Sequence, residues 1–225
     1  MRLTIIIVLG LLAPVGICLG QNQDQGAGES ETQKRFCRYS FYPEGGAPSF
    51  KPALEWGLAH FEELEEILNN SQLAYCWYDA AMVVGASGTM RAVRLLEKFF
   101  SEGEGPLTES EFDGKFGAML GLGWAANRFG LPTDAASFEA TRYLIFLSRG
   151  NSPVGWVTPY PHVETWVHIT RTAFRALGLT GKSSARASIS NNPVCKLVNF
   201  KANCESGLDL IKRTQKEGLD KIYPQ

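Results

Sequence analysis

The sequence predicts an all-α fold, and three observations lead to that prediction. Apolar residues recur at helical spacing in successive segments from Pro52 to Leu219. Residues that cap helices precede several of these segments, and glycines or prolines break the chain between them. Each predicted helix has one face too apolar to leave in water, so the helices must pack on one another. We expect either a short α-solenoid of helical hairpins or an irregular helical bundle.

Residues 1–20 have the three-part layout of a secretory signal peptide: basic Arg2, an apolar run, and the small residues Cys18 and Gly20. We expect cleavage after Gly20, which makes the protein secreted or periplasmic. One alternative is a membrane anchor, but Pro14 interrupts the run and it is shorter than the ~20 apolar residues that a span needs. Another is lipidation of Cys18. No other segment is apolar and long enough to cross a bilayer.

In the polar residues 21–35, apolar residues do not recur at a regular spacing, which predicts a disordered lead-in. Residues 36–225 then form a single helical domain. The 22 basic and 23 acidic residues give a formal net charge of −1. Nothing in this balance favours a nucleic-acid partner or an anionic lipid surface.

The first predicted helix of the domain begins at Pro52 and carries an apolar stripe through to Leu68. Two amphipathic helices follow in the stretch from Leu73 to Phe100, joined by a corner at residues 85–88. We expect Gly85 and Gly88 to supply positive φ angles at this corner. Ser87 or Thr89 is the expected cap of the second helix.

Later helices also begin with recognisable caps. Thr108 and Glu111 form a capping-box pattern, and Thr133-Asp134 precedes the next helix. The helix between them contains glycines 117, 121 and 123, which each cost about 1 kcal/mol against alanine and often permit close approach of another helix. The apolar stripes predict a core that includes Trp77, Leu96, Phe116 and Phe138.

Three segments share a pattern: a helix rich in small residues ends near a glycine, and a turn leads to a second helix. These glycines are Gly85, Gly123 and Gly178, separated by 38 and 55 residues. The first separation is close to the roughly 40–47 residues of HEAT and armadillo units, and the second requires an insertion. Residues 72–190 therefore resemble HEAT-like (armadillo-type) helical repeats. The resemblance implies stacked hairpins and a protein-binding surface.

Four cysteines remain after cleavage of the signal: Cys37, Cys76, Cys195 and Cys204. An even number after an export signal indicates disulfides, the alternative being buried free thiols. Three pairings are possible, and we prefer Cys37–Cys76 with Cys195–Cys204. The second pair requires a helix that begins near Asn203, because a helix through both cysteines would place them about 13 Å apart.

Residues 149–161 form the least helical interior segment, with three prolines and two glycines. Arg149, Trp156 and Tyr160 lie in it and are candidate binding residues if exposed; the alternative is that both rings pack on the core. In the next helix, Glu164, His168 and Arg171 share one face. This set is a second binding candidate or a solvated, salt-bridged face.

No catalytic signature accompanies these residues. The chain has no Gly-x-Ser-x-Gly motif, no Cys-x-x-Cys pair and no histidines at zinc-binding spacing, so we expect no metal and no cofactor. The favoured function is a non-catalytic helical-repeat protein that mediates protein–protein interaction. The alternatives are a carrier of small apolar ligands and an enzyme with paired carboxylates.

Overall fold

The computed structural model describes residues 31–38, 49–103, 105–127, 134–151, 156–158 and 160–223. Nearly all of them are helical, which confirms the predicted all-α class. The proposed signal peptide, residues 1–20, lies outside the described residues. Glu31–Gln225 is a single compact unit. Within the described part of the chain, none of the helices combines the length and apolar character needed to cross a membrane.

The helices and strands follow one another along the chain. The helices are α1 (Glu31–Arg38), α2 (Phe50–Ala59), α3 (Phe61–Leu68), α4 (Trp77–Ala86), α5 (Met90–Ser101), α6 (Glu109–Ala126), α7 (Ala135–Ser148), α8 (His162–Leu179), α9 (Ser183–Ser190), α10 (Val198–Glu217) and α11 (Leu219–Ile222). Short 3-10 turns, Ser71–Cys76 and Pro193–Lys196, precede α4 and α10. The two-residue strands β1 (Gly105–Pro106) and β2 (Trp156–Val157) pair in parallel.

Three of the predicted N-terminal caps form the expected hydrogen bonds. The Thr89 side chain accepts a hydrogen bond from the amide of Ala92, and Thr108 forms a complete capping box with Glu111. The Asp134 carboxylate accepts from the amide of Ser137. Each cap satisfies an amide that the first helical turn leaves without a partner. The first residues of α5, α6 and α7 could therefore be predicted from the local sequence.

Helices α4 and α6 pack closely and run in the same direction. Along α6, Gly114, Gly117 and Gly121 lie against Trp77, Tyr78 and Ala81 of α4, so contact positions advance together along both helices. A methyl group on Gly117 would lie 2.6 Å from the Cα atom of Tyr78. Glycine at these positions thus lets the two backbones approach.

The same parallel arrangement continues from α6 to α8 and from α8 to α10. Phe116 and Gly123 of α6 lie against His168 and Ala176 of α8. Trp166, Phe174 and Gly178 of α8 lie against Phe200, Gly207 and Leu210 of α10. Helices α4, α6, α8 and α10 therefore form one layer of parallel helices.

Helices α5, α7 and α9 return the chain between these four and form a second layer. The ring of Phe100 in α5 lies 6.3 Å from that of Tyr143 in α7. Asn192, just after α9, donates to the carbonyl of Ser148 at the end of α7. The β1–β2 pair joins the turn before α6 to the turn before α8, near the N-terminal ends of these two helices.

Gly85 does not have the positive φ that the sequence led us to expect. Among the corner residues only Gly88 adopts one, at 63°, whereas Gly85 belongs to α4 and lies against the backbone of Gly121. The glycine at position 85 is needed for helix contact rather than for the turn.

Two expectations for the N-terminal region were also wrong. Residues 31–35, expected in the disordered lead-in, belong to α1, whose Phe36 is buried 5.6 Å from the ring of Trp56. The helix expected from Pro52 to Leu68 is broken at His60, where φ is −130° and ψ is 37°. Leu58, which helical spacing places on the apolar stripe between Pro52 and Leu68, is exposed.

The core contains Trp77 and Leu96, as predicted, and Phe116 is partly buried against it. Phe138 is a correction, because 65% of its surface is exposed. Helix α7 turns Ala136, Ala140, Leu144 and Leu147 inward instead. Two helical faces of α7 carried apolar residues, and the choice between them depended on the neighbouring helices.

Both preferred cysteine pairs lie at disulfide distance. The sulfurs of Cys37 and Cys76 are 2.14 Å apart, and those of Cys195 and Cys204 are 1.99 Å apart. The first pair ties α1 to the turn before α4. The second does not need a helix that begins near Asn203: α10 begins at Val198, and Cys195 lies in the preceding 3-10 turn, 5.9 Å from Cys204 between Cα atoms.

Candidate functional site

The residues singled out in the sequence do not form one cluster. Arg149 is exposed just after α7, and no hydrogen bond or ion pair with a described residue joins it to the other candidates. The backbone of Trp156 lies in β2, but its side chain is not among the described atoms. Tyr160 lies just before α8, and Glu164, His168 and Arg171 follow along the first half and middle of that helix.

Tyr160 packs on α6 and is half-buried. Its ring lies 5.3 Å from that of Phe112 and 6.3 Å from that of His168. Its hydroxyl donates a long hydrogen bond of 3.5 Å to Glu109. The negative charge of Glu109 raises the pKa of the Tyr160 phenol. Tyr160 therefore fixes the start of α8 on α6, and part of its surface still faces solvent.

Four exposed side chains follow one another along the outer face of α8: Glu164, His168, Arg171 and Arg175. Their spacings of four, three and four residues keep them on one side of the helix. The face is acidic at its start and basic at its end. The basic end continues onto α10.

An open groove of about 570 Å³ lies between α8 and α10. Its residues are mostly polar, with three arginines among them: Arg171, Thr172, Arg175, Asn203, Ser206, Gly207, Asp209, Leu210 and Arg213. The close packing of the two helices forms the groove. A methyl group on Gly207 would lie 2.9 Å from the carbonyl oxygen of Phe174.

The arginines of this groove have few partners in the described part of the protein. Arg171 donates a long hydrogen bond of 3.4 Å to the carbonyl of Asn199 and lies over the ring of Phe200. Among the described residues, neither Arg175 nor Arg213 forms an ion pair within 4 Å. Asp209, the acidic residue of the lining, pairs with Lys212 at 2.9 Å. The groove therefore carries net positive charge.

The most strongly perturbed acid and base of the described chain lie elsewhere. Burial, followed by the nearby charge of Glu139, raises the pKa of Glu97 in α5 to about 7. Burial lowers the pKa of Lys115 in α6 to about 8, and its ammonium donates to the carbonyls of Phe99 and Glu102 at the end of α5. Lys115 thus has a structural role as a cap, and neither residue contributes to the groove.

A second cavity of about 480 Å³ lies between α7 and the start of α9. Phe138 and Ile145 supply apolar surface, and the hydroxyls of Ser137 and Thr141 donate to backbone carbonyls. Arg142 at its edge is paired with Glu139. This cavity suits an apolar molecule better than a charged one.

Sequence reasoning found Arg171 but missed Arg175 and Arg213. The signal for Arg175 was present, because Arg171 and Arg175 are four residues apart on the predicted helix. Arg213 could not be found in this way, because its place depends on the packing of α10 beside α8.

Comparisons with protein-family models, with curated proteins and with solved structures found no match for this chain.

Proposed function

We propose that this protein is a secreted or periplasmic, non-catalytic binding protein, and that the groove between α8 and α10 recognises an acidic segment of a partner protein. The observation that carries the proposal is the group of three arginines, two of which have no carboxylate partner among the described residues. The signal-like residues 1–20 and the two cysteine pairs support the location.

The arginine arrangement favours a carboxylate ligand. A guanidinium group presents a planar fork of donors that matches a carboxylate, and two forks on neighbouring turns can bind successive acidic side chains. Like charges four residues apart destabilise a helix by about 0.2–0.5 kcal/mol. Arg171 and Arg175 form such a pair, and Arg213 adds a third positive charge. A bound acidic segment would relieve this repulsion.

The shape and the polar lining favour an extended polypeptide. The groove follows two parallel helices, and Thr172, Asn203 and Ser206 supply hydroxyl and amide groups for backbone hydrogen bonds. Parallel helical layers present surfaces of this kind in repeat proteins. A HEAT-like interaction module is part of this proposal.

The test uses fluorescein-labelled peptides of alternating glutamate and glycine, with lysine–glycine peptides as the charge control. Fluorescence anisotropy is measured with the wild type and with the double variant Arg175→Gln/Arg213→Gln. We expect wild-type binding of the acidic peptide, weakening with salt, and at least tenfold weaker binding by the variant.

A matched variant controls for net charge. Lys216→Gln/Lys221→Gln removes two exposed positive charges outside the groove. It should bind the acidic peptide like the wild type. Equal weakening by both double variants would show non-specific attraction and would refute the groove as the site.

The cavity beside Phe138 supports a second candidate, a carrier of small apolar ligands. The exposed ring of Phe138 and the side chain of Ile145 offer apolar surface to a ligand. The charge of Arg142 at this cavity is neutralised by its ion pair with Glu139. Incubation with a mixed lipid extract, followed by mass spectrometry of the repurified protein, tests this candidate. Retention of one lipid class by the wild type but not by Phe138→Ser would support it, and equal retention would exclude this cavity.

A further inference from the structure

The segment between Cys195 and Cys204 displays two apolar side chains at the protein surface. Val198 is 91% exposed and Leu197 is 50% exposed, whereas Val194 and Phe200 on either side are buried. The two residues lie at the junction of the 3-10 turn and α10. Burial of the flanking residues fixes the segment while leaving Leu197 and Val198 in water.

Several further contacts hold this junction in place. The cysteine pair closes a loop with a sequence separation of nine residues. The Asn192 side chain accepts from the amide of Val194 and donates to the carbonyl of Ser148. The amide of Leu197 donates to the carbonyl of Val194. A valine side chain also has few rotamers. A partner that covers Val198 would therefore cost little additional conformational entropy.

Two lysines flank the apolar pair in sequence, and one hydrogen bond connects its neighbour Asn199 to the arginine groove. Lys196 and Lys201 are exposed on either side in sequence. Arg171, which lines the groove, donates to the carbonyl of Asn199, the residue after Val198. The contact between Arg171 and Asn199 therefore links the start of α10, which carries Val198, to the groove.

We infer that Leu197 and Val198 are the apolar anchor of the interface whose charged part is the arginine groove. The inference rests on the proposed function and adds the chemistry of the partner: an acidic segment next to an apolar recess that receives Val198. Arginines are enriched among binding hot spots, and complementary charges across an interface fix its register.

Two other occupants fit the surface less well. A membrane would gain little, since one fully and one half-exposed aliphatic residue bury less apolar surface than a single acyl chain, which alone binds only marginally. A symmetric contact between two copies centred on Val198 would bring Lys196, Lys201 and Arg171 near their counterparts, and these like charges would repel.

The experiment selects twelve-residue peptides from a random display library on the full mature protein. Enriched peptides are synthesised and titrated against the wild type, Val198→Asn, and Leu58→Asn, which changes an exposed aliphatic residue in α2. Circular dichroism verifies that each variant is folded. We expect peptides with an apolar residue beside Asp or Glu, roughly tenfold weaker binding by Val198→Asn, and unchanged binding by Leu58→Asn.

Titration of the same peptides against Arg175→Gln/Arg213→Gln separates the anchor from the groove. Weakening by both Val198→Asn and the arginine variant supports the inference. Weakening by the arginine variant alone overturns the anchor and leaves the proposed function standing. Weakening by Val198→Asn alone overturns both the groove and the joint interface, as does a failure to enrich acidic peptides.

Two further measurements identify the other occupants. Sedimentation with vesicles of phosphatidylcholine and phosphatidylglycerol tests a membrane surface, and analytical ultracentrifugation tests self-association. Vesicle binding or dimer formation that disappears in Val198→Asn would overturn the inference. Wild-type protein that is monomeric and does not sediment with the vesicles agrees with it.

Discussion

The replacement Gly117→Ala tests the close packing of α4 and α6, on which the first helical layer depends. In an isolated helix this change would stabilise by about 1 kcal/mol, because alanine has the higher helix propensity. In the folded protein the added methyl would lie 2.6 Å from Cα and 2.9 Å from the carbonyl carbon of Tyr78, and its carbonyl oxygen is nearer still. The packing therefore predicts the opposite sign.

The size of the effect follows from what must move. Ordinary van der Waals contact begins near 3.4 Å, so α4 and α6 would have to separate by roughly 0.8 Å at Tyr78. The obstructing atoms belong to the backbone and cannot rotate away. Overpacking costs about 1–3 kcal/mol, and the rigid obstruction favours the upper end. After the gain in helix propensity, we expect a net loss of about 2 kcal/mol.

Urea unfolding followed by circular dichroism measures this loss, and thermal melting should show a midpoint lower by about 4–8 °C. Ser110→Ala, an exposed change in the first turn of the same helix, should alter the free energy of unfolding by less than about 0.5 kcal/mol. If Gly117→Ala is as stable as the wild type or more stable, the helices do not approach as described and the layer arrangement is wrong.

Two further predictions concern ionisable groups, the buried Lys115 and the half-buried Glu97. Lys115→Met should lower the free energy of unfolding by about 1–3 kcal/mol, measured in urea at pH 7, because the carbonyls of Phe99 and Glu102 lose their donor. Glu97→Gln should remove a pH dependence: the folded wild type keeps a proton on Glu97 up to a pKa of about 7, whereas the unfolded chain loses it near 4.5. Wild-type stability therefore falls as pH rises through this window, and the variant should be more stable by about 1 kcal/mol at pH 8 but not at pH 4. Parallel unfolding curves at the two pH values check this, and an equal difference at both would contradict the burial of Glu97.

The local features of the fold could be predicted from sequence because they depend on neighbouring residues. Thr89, Thr108 and Asp134 each satisfy an amide three residues away, so their effect does not depend on tertiary contacts. The stripe that buries Leu96 is equally local. These signals fix where helices begin and which face of α5 is apolar.

The errors arose where tertiary contacts decide between local alternatives. Phe138 lies on α7, where Leu144 and Leu147 define the buried face once α6 and α8 are in place. Periodicity alone did not distinguish these faces, because the apolar residues of α7 extend around much of the helix. The break at His60 is similarly invisible in a stripe that continues from α2 into α3.

The candidate site illustrates the same distinction at longer range. Arg171 and Arg175 were accessible from helical spacing, but the groove exists only because α9 returns the chain and α10 then packs parallel to α8. In that register Gly207 lies against Phe174 and Leu210 against Gly178, which places Arg213 at the end of α10 that faces the basic half of α8. The Cys195–Cys204 pair lies at the start of α10 and links it to the preceding turn. This cysteine pair encloses Val198 in sequence and also holds the start of α10, the helix that carries Arg213. The apolar and charged parts of the proposed interface therefore both depend on how α10 is held in place.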